Sequence, residues 1–171
     1  MQDFSQIIEL DLSNRGLREL PDLTMYTNLK NLYCDGNQIT QFPNFIELTP
    51  TLEELHCRNN QLTELTNLPP TLKYLYCSGN QIRQLPNIFA MTPTLKILGC
   101  SHNQITELDN LPITLYLLNC ENNQITRLYD IPTTLKWLHC GNNPFIYNFE
   151  PTIKNIRKYN EESLMLSPIM K

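Results

Sequence analysis

Two dipeptides, His56-Cys57 and His139-Cys140, set an imidazole beside a thiol, the pairing from which a cysteine nucleophile is built. Cys34, Cys77, Cys100 and Cys120, with the acids Glu9, Asp11, Asp35 and Glu54, complete the groups that could do chemistry. Their spacing argues against it. All six cysteines lie 20 or 23 residues apart, each in the same slot of a repeating Leu-x-x-Leu-x-Cys-x-x-Asn phrase. Neighbouring residues of a strand point to opposite faces, so each His looks outward where the next Cys is buried, and no Cys–His pair forms within a strand. Equivalent residues of a parallel sheet stack about 4.8 Å apart with parallel Cβ vectors, whereas a disulfide needs Cβ atoms about 3.8 Å apart and turned toward each other. A straight ladder of thiols likewise cannot surround a metal tetrahedrally, and His56 and His139, four strands apart, are separated by ~19 Å. The acids gather toward the N-terminal end with no acid–base partner beside them. The thiols therefore read as a buried column of small hydrophobes, and no catalytic residue, cofactor or metal site is expected.

The elements that must position these groups follow from the repeat. Its full form is Leu72, Leu75, Cys77, Asn80, Ile82 and Leu85, and the same slots recur from Leu29, Leu52, Leu95 and Leu115. A frayed copy opens the array at Ile7, Leu10, Leu12, Arg15, Leu17 and Leu20, and another closes it at Leu135, Leu138, Cys140, Asn143 and Phe145. Such a period marks a solenoid of about seven units. The segment around x-Leu-x-Cys-x alternates with period two and predicts a short strand with one buried face. The Asn three residues after Cys begins the turn, its amide bonding to backbone groups where regular pairing stops, so stacked copies predict an asparagine ladder. In the return half, Leu-Pro-Pro-Thr-Leu at 68–72 and its relatives at 111–115 and 131–135 disfavour helix and predict an extended convex side. Two units carry three extra residues, Ile46-Glu47-Leu48 and Phe89-Ala90-Met91, each predicting a short helical turn. The ends of such an array need caps. Phe4 and Ile8 are expected to cover the first unit and the apolar run 144–149 the last, followed by a helix from Glu150 to Glu162 with Ile153, Ile156 and Tyr159 on one face.

With 171 residues the chain can bury one continuous core. Its net charge of −4 carries no basic footprint for nucleic acid. No stretch reaches the roughly 18 apolar residues of a membrane span. Met1 to Leu12 show no cationic region followed by an apolar run, so no secretory signal is read there. The expected location is the cytoplasm.

The segment from Leu68 to Pro86, LPPTLKYLYCSGNQIRQLP, resembles the short leucine-rich repeats of bacterial effectors of the YopM and IpaH kind. The Leu-x-Cys-x-x-Asn-Gln-Ile core also resembles leucine-rich proteins of bacterial surfaces and of large DNA viruses that infect amoebae. The resemblance covers about residues 7–149. It implies an α/β solenoid: a right-handed leucine-rich repeat coil with a parallel β-sheet on the concave face, an irregular convex side and a C-terminal helical cap. The expected division is a solenoid over 1–149 and a capping helix and tail over 150–171. The resemblance further implies recognition of another protein on the concave face and no catalysis; for an effector the compartment would be the host cytoplasm.

Two columns of that face are candidate contacts. The residue before the second Leu reads Glu9, Asn31, Glu54, Tyr74, Ile97, Leu117, Trp137, and its last four members form an apolar stripe about 15 Å long at the inter-strand spacing. The residue after that Leu reads Asp11, Tyr33, His56, Tyr76, Gly99, Asn119, His139, with a dimple expected at Gly99. The expected anchors are Tyr74, Tyr76, Ile97, Leu117, Trp137 and His139, extended by Tyr33, His56 and Arg58. Lys30, Lys73, Lys96 and Lys136 share a slot on one rim. The expected partner is an unidentified protein, with no nucleic acid and no membrane. A monomer is expected; the alternative is a structural protein that self-associates, as a homodimer or particle component, through the stripe or a sheet end.

Overall fold

Leucine, isoleucine and cysteine recur wherever the chain turns inward, and in the computed structural model each of these slots meets its counterparts in one continuous core. The structure describes residues 4–85, 90 and 92–166. Seven three-residue strands run Glu9–Asp11 (β1), Asn31–Tyr33 (β2), Glu54–His56 (β3), Tyr74–Tyr76 (β4), Ile97–Gly99 (β5), Leu117–Asn119 (β6) and Trp137–His139 (β7). They form one parallel sheet in the order β1 to β7, so successive strands are joined by six turns of a coil. The middle residues pair as Leu10, Leu32, Leu55, Leu75, Leu98, Leu118 and Leu138, without a slip. An alternating pattern with one buried face dictates this register, because a one-residue shift would expose every leucine of a strand.

The expected asparagine ladder is present. Asn37, Asn60, Asn80 and Asn123 are buried. Each amide nitrogen donates to the carbonyl of the residue three before it and to its equivalent one coil earlier, as Asn80 does to Cys77 and Cys57 at 2.9 Å. Each amide oxygen accepts a backbone N–H of the preceding coil, as Asn80 does from Leu62 at 3.0 Å. Two residues after each Cys the backbone is left-handed: Gly36, Asn59, Gly79, His102, Asn122 and Asn142 all have positive φ. Asn and Gly suit that conformation. At Gly36 a Cβ would also collide with the Asn14 carboxamide.

A second ladder, of threonine, backs the convex side. The hydroxyls of Thr71, Thr94, Thr114 and Thr134 donate to the carbonyls of Leu52, Leu72, Leu95 and Leu115 at 2.7, 2.9, 2.8 and 2.8 Å. The return segments are less extended than expected. Leu72, Leu115 and Leu135 each close a turn by donating to the carbonyl of Pro69, Pro112 or Pro132, and Leu29, Leu52 and Leu95 close the equivalent turn onto Tyr26, Thr49 and Thr92, so the turn belongs to the repeat and not to the proline. The first insertion forms a one-turn helix, α1 (Phe45–Leu48), whose Phe45 ring is buried against Phe42, centroids 5.0 Å apart. The second expected helical turn, at Phe89–Met91, falls outside the described residues except for Ala90.

At the C-terminal end Phe145, Tyr147 and Phe149 point the same way and stack, with centroids 5.4 and 4.7 Å apart. The helix α2 spans Ile153–Leu166. It starts later than expected because the Thr152 hydroxyl accepts the Asn155 N–H at 3.2 Å, which makes Thr152 the N-cap. Ile156 is fully buried, and Arg157 and Asn160 donate to the carbonyls of Pro132 and Leu128, closing backbone groups of the last coil. At the other end Phe4 stacks on Tyr26 at 5.0 Å. Ile8 does not cover the core: it is 56 % exposed, and the partly buried Ile7 takes the role, since the residue before β1 faces the rim. No helix among the described residues is long and apolar enough to cross a membrane.

Candidate functional site

The strand pairing aligns Glu9, Asn31, Glu54, Tyr74, Ile97, Leu117 and Trp137 in one row, and Asp11, Tyr33, His56, Tyr76, Gly99, Asn119 and His139 in the next. Both rows lie on the sheet face away from the core. Tyr74, Ile97 and Leu117 are half-buried beside one another, and Trp137 on the edge strand is 55 % exposed. Its indole N–H donates to the Tyr116 hydroxyl at 3.3 Å. Tyr116 is absent from the expected contacts. It occupies the rim slot that elsewhere holds Lys30, Glu53, Lys73, Lys96 and Lys136, and that one aromatic among charged residues was the signal for it. Glu53 in the same slot pairs with Lys73 at 2.6 Å and Lys30 at 3.3 Å, and those two ammonium groups hold its carboxyl below the ordinary carboxylate range.

The second row is more ordered than its residue types suggest. The rings of Tyr33, His56 and Tyr76 pack in a row across three strands, with centroids 4.6 and 4.3 Å apart and the planes tilted by 43° and 36°. His56 Nε2 donates to Glu54 Oε1 at 2.6 Å, while its Nδ1 accepts from Arg58 Nη1 at 3.1 Å, so the neutral imidazole satisfies both neighbours. Asp35 accepts the Arg58 backbone N–H at 2.6 Å, and the Arg58 guanidinium lies 4.4 Å from the centre of the Tyr76 ring. Tyr33, His56 and Arg58 thus belong to one packed cluster, completed by Asp35 and Glu54. The dimple expected at Gly99 is not open. Gly99 is buried, and a Cβ there would come within 3.3 Å of the Tyr76 ring, which leans into the space the missing side chain leaves.

His139 is exposed on β7 and lies in the row of these rings, three strands beyond Tyr76. An open depression of about 610 Å³ runs along the free edge of β7, between Trp137, Leu138 and His139 and the segment from Pro151 to Lys154.

The groups that invited a nucleophile reading are separated as the strand geometry requires. All six thiols are free and buried. Burial pushes Cys34 and Cys77 up to about 12 and Cys140 to about 11, and raises Cys57, Cys100 and Cys120 as well. A thiol so held stays protonated and is a poor nucleophile. Iodoacetamide at pH 8 is therefore expected to leave Cys57, Cys77 and Cys100 unmodified in the folded chain and to label all of them in urea; labelling in the folded chain would contradict their burial. No group of His, Cys, Asp and Glu among the described residues is arranged to hold a metal ion.

The sequence matches the family model for Leucine Rich repeats (2 copies) over residues 50–90 and 70–113. Among curated proteins none matches it. Among solved structures the coil superposes on the APL1 leucine-rich repeat domain with a TM-score of 0.75 at 26 % identity, over 82 % of this chain and 39 % of that one. YopM from Yersinia enterocolitica matches with a TM-score of 0.57 at 31 % identity, over 75 % of this chain and 31 % of that one. A Shigella effector leucine-rich repeat domain matches with a TM-score of 0.67 at 25 % identity, over 95 % of this chain and 78 % of that one. The chain thus spans well under half the length of the first two.

Proposed function

We propose that this leucine-rich repeat protein, whose coil resembles those of bacterial effectors, is a non-enzymatic module that binds another protein on its concave sheet face. Leucine-rich repeats commonly serve protein–protein interaction, and the observation that carries the reading here is the continuous row Tyr74, Ile97, Leu117 and Trp137, ending in an indole that is 55 % exposed. An exposed apolar row of that kind on a rigid sheet supplies anchors without the ordering cost of a flexible binder. Tyr76 and the Tyr33–His56–Arg58 cluster present further fixed surface alongside it. Free buried thiols suit a reducing compartment, in keeping with a cytoplasmic location, in a host cell if the chain is an effector.

The test is affinity capture from cells that make the protein, with parent and Trp137→Ala chains compared by quantitative mass spectrometry. Trp137→Ala removes an exposed side chain, so the fold should persist while recovery of the specific partner falls at least tenfold, about 1.4 kcal/mol of binding energy. Equal recovery by both chains rejects the surface. The free edge of β7, with its adjoining depression, favours a second reading, self-association through a sheet end. Light scattering across concentration separates the two, because a binding module is monomeric by itself.

A further inference from the structure

The sheet face changes character along its length. In the two rows β1 to β3 carry Glu9, Asp11 and Glu54, with Asp35 and Arg58 in the slot after Cys, whereas over β4 to β7 the rows contain no charged residue when histidine is neutral and the slot after Cys holds the single charge Glu121. Two of the four acids are already engaged, Asp35 with Arg58 and Glu54 with His56. Glu9 and Asp11 are exposed; the Asp11 carboxylate accepts from Ser13, whose N–H lies at 2.8 Å, and Arg15 donates to the Asp11 backbone carbonyl, close enough for its charge to act on the carboxylate.

Tyr33 sits between these groups. Its register partners are Asp11 on β1 and His56 on β3. The imidazole packs against its ring, tilted by 43°. On the other flank Asp11 is its neighbour on β1. Burial and then the charges of Glu54, Glu9 and Asp11 all raise its phenol, so the three carboxylates lie close enough to act on it. The same row shows what such a ring accepts: Arg58 lies over Tyr76 at 4.4 Å. Among the described residues Tyr33 has carboxylates around it and no cation on its ring. An aromatic face bordered by carboxylates attracts an ammonium or guanidinium through the ring quadrupole and the surrounding negative charge.

Resting on the reading that the sheet face takes up a protein, we propose that its occupant is a polypeptide segment with a fixed polarity: a Lys or Arg side chain seated on Tyr33 beside Glu9 and Asp11, followed by aromatic or aliphatic side chains on the row from Tyr74 to Trp137. The two ends of this footprint, on β2 and β7, are five strand spacings or ~24 Å apart. Charge fixes the direction in which the segment lies and the apolar row holds it.

The experiment is selection of a displayed library of random peptides, each about 16 residues so that even a helical segment spans the footprint, on the immobilised full chain. The enriched sequences are then measured as synthetic peptides against three proteins: the parent, a Glu9→Lys/Asp11→Asn double variant that keeps the Ser13 N–H acceptor, and Trp137→Ala. Circular dichroism checks that each is folded. Enriched peptides are expected to carry Lys or Arg at one end and apolar residues toward the other. They should lose at least tenfold in affinity on each variant, and should weaken as salt rises for the parent but not for the double variant. Peptides that lose affinity on Trp137→Ala and not on Glu9→Lys/Asp11→Asn overturn the basic end and leave the sheet-face reading standing. Peptides indifferent to both variants, or no enrichment on the parent, overturn both.

Discussion

Between pH 8 and pH 10 the protein is expected to lose at least ~5 kcal/mol of stability, comparable with the lower end of what holds a domain together. The source is the cysteine column. An unfolded thiol ionises at its ordinary value of 9.0, whereas burial carries Cys34 and Cys77 to about 12 and raises Cys57 and Cys100 well above the ordinary value too. Well below pH 9 both states hold the thiol proton and stability does not depend on it. Above that value the unfolded chain releases protons that the folded chain keeps, so the equilibrium moves toward the unfolded state as pH rises, until the folded thiols also ionise. Over the whole interval from pH 8 to 10 each such thiol removes ~1.4 kcal/mol, so these four account for ~5 kcal/mol, and Cys120 and Cys140, also raised, act in the same direction. The check is a urea titration followed by circular dichroism at pH 7, 8, 9 and 10 with a reductant present. Cys77→Ala should be less stable than the parent at pH 7, through lost packing, yet show a shallower decline above pH 9. Equal unfolding midpoints at pH 8 and 10 would show that the thiols are not sequestered. Buried tyrosines act in the same direction only above pH 10, which keeps the two contributions apart.

Asn80→Ala is expected to cost about 2 kcal/mol. The amide is buried and serves three backbone groups at once: it accepts from Leu62 N–H at 3.0 Å and donates to the carbonyls of Cys57 and Cys77 at 2.9 Å. Alanine leaves the Leu62 N–H without its partner and takes one of two amide donors from each carbonyl, since Asn60 still donates to Cys57 at 3.2 Å and Asn103 to Cys77 at 3.1 Å; the loss falls at the seam between two coils, where a solenoid derives its stability. Asn80→Asp has the same size but sets a carboxylate against two carbonyl oxygens, so it too should destabilise. Gln81→Ala, one residue on and exposed, is the control and should change stability by less than about 0.5 kcal/mol. The hypothesis fails if the urea midpoints of Asn80→Ala and Gln81→Ala coincide.

Much of the fold was legible because the repeat is a one-dimensional code. Once Leu32, Leu55 and Leu75 occupy one slot, hydrogen-bonded strands of equal length have a single register that buries them all, and the rows from Glu9 to Trp137 and from Asp11 to His139 follow from counting. The buried thiols and the asparagine ladder come from the same argument. The threonine ladder was equally visible, since Thr71, Thr94, Thr114 and Thr134 each stand just before a slot leucine. Its role was hidden because a hydroxyl's partner depends on how the return segment folds, and those segments carry no strong period.

The period of this chain by itself determined which residues become neighbours across strands: the pitch and hydrogen bonding of a parallel sheet are the same for any side chain, so spacing alone suffices. Only the tertiary structure decided how those neighbours meet. Tyr76 leans over Gly99, His56 stands between Tyr33 and Tyr76 with Glu54 and Arg58 on its two nitrogens, Tyr116 reaches the Trp137 indole, and Ile8 turns to solvent while Ile7 packs. Side chains about 4.8 Å apart interact with rows on both sides at once. Their orientations are therefore a many-body outcome of ring packing, charge and hydrogen bonding, which no single position encodes.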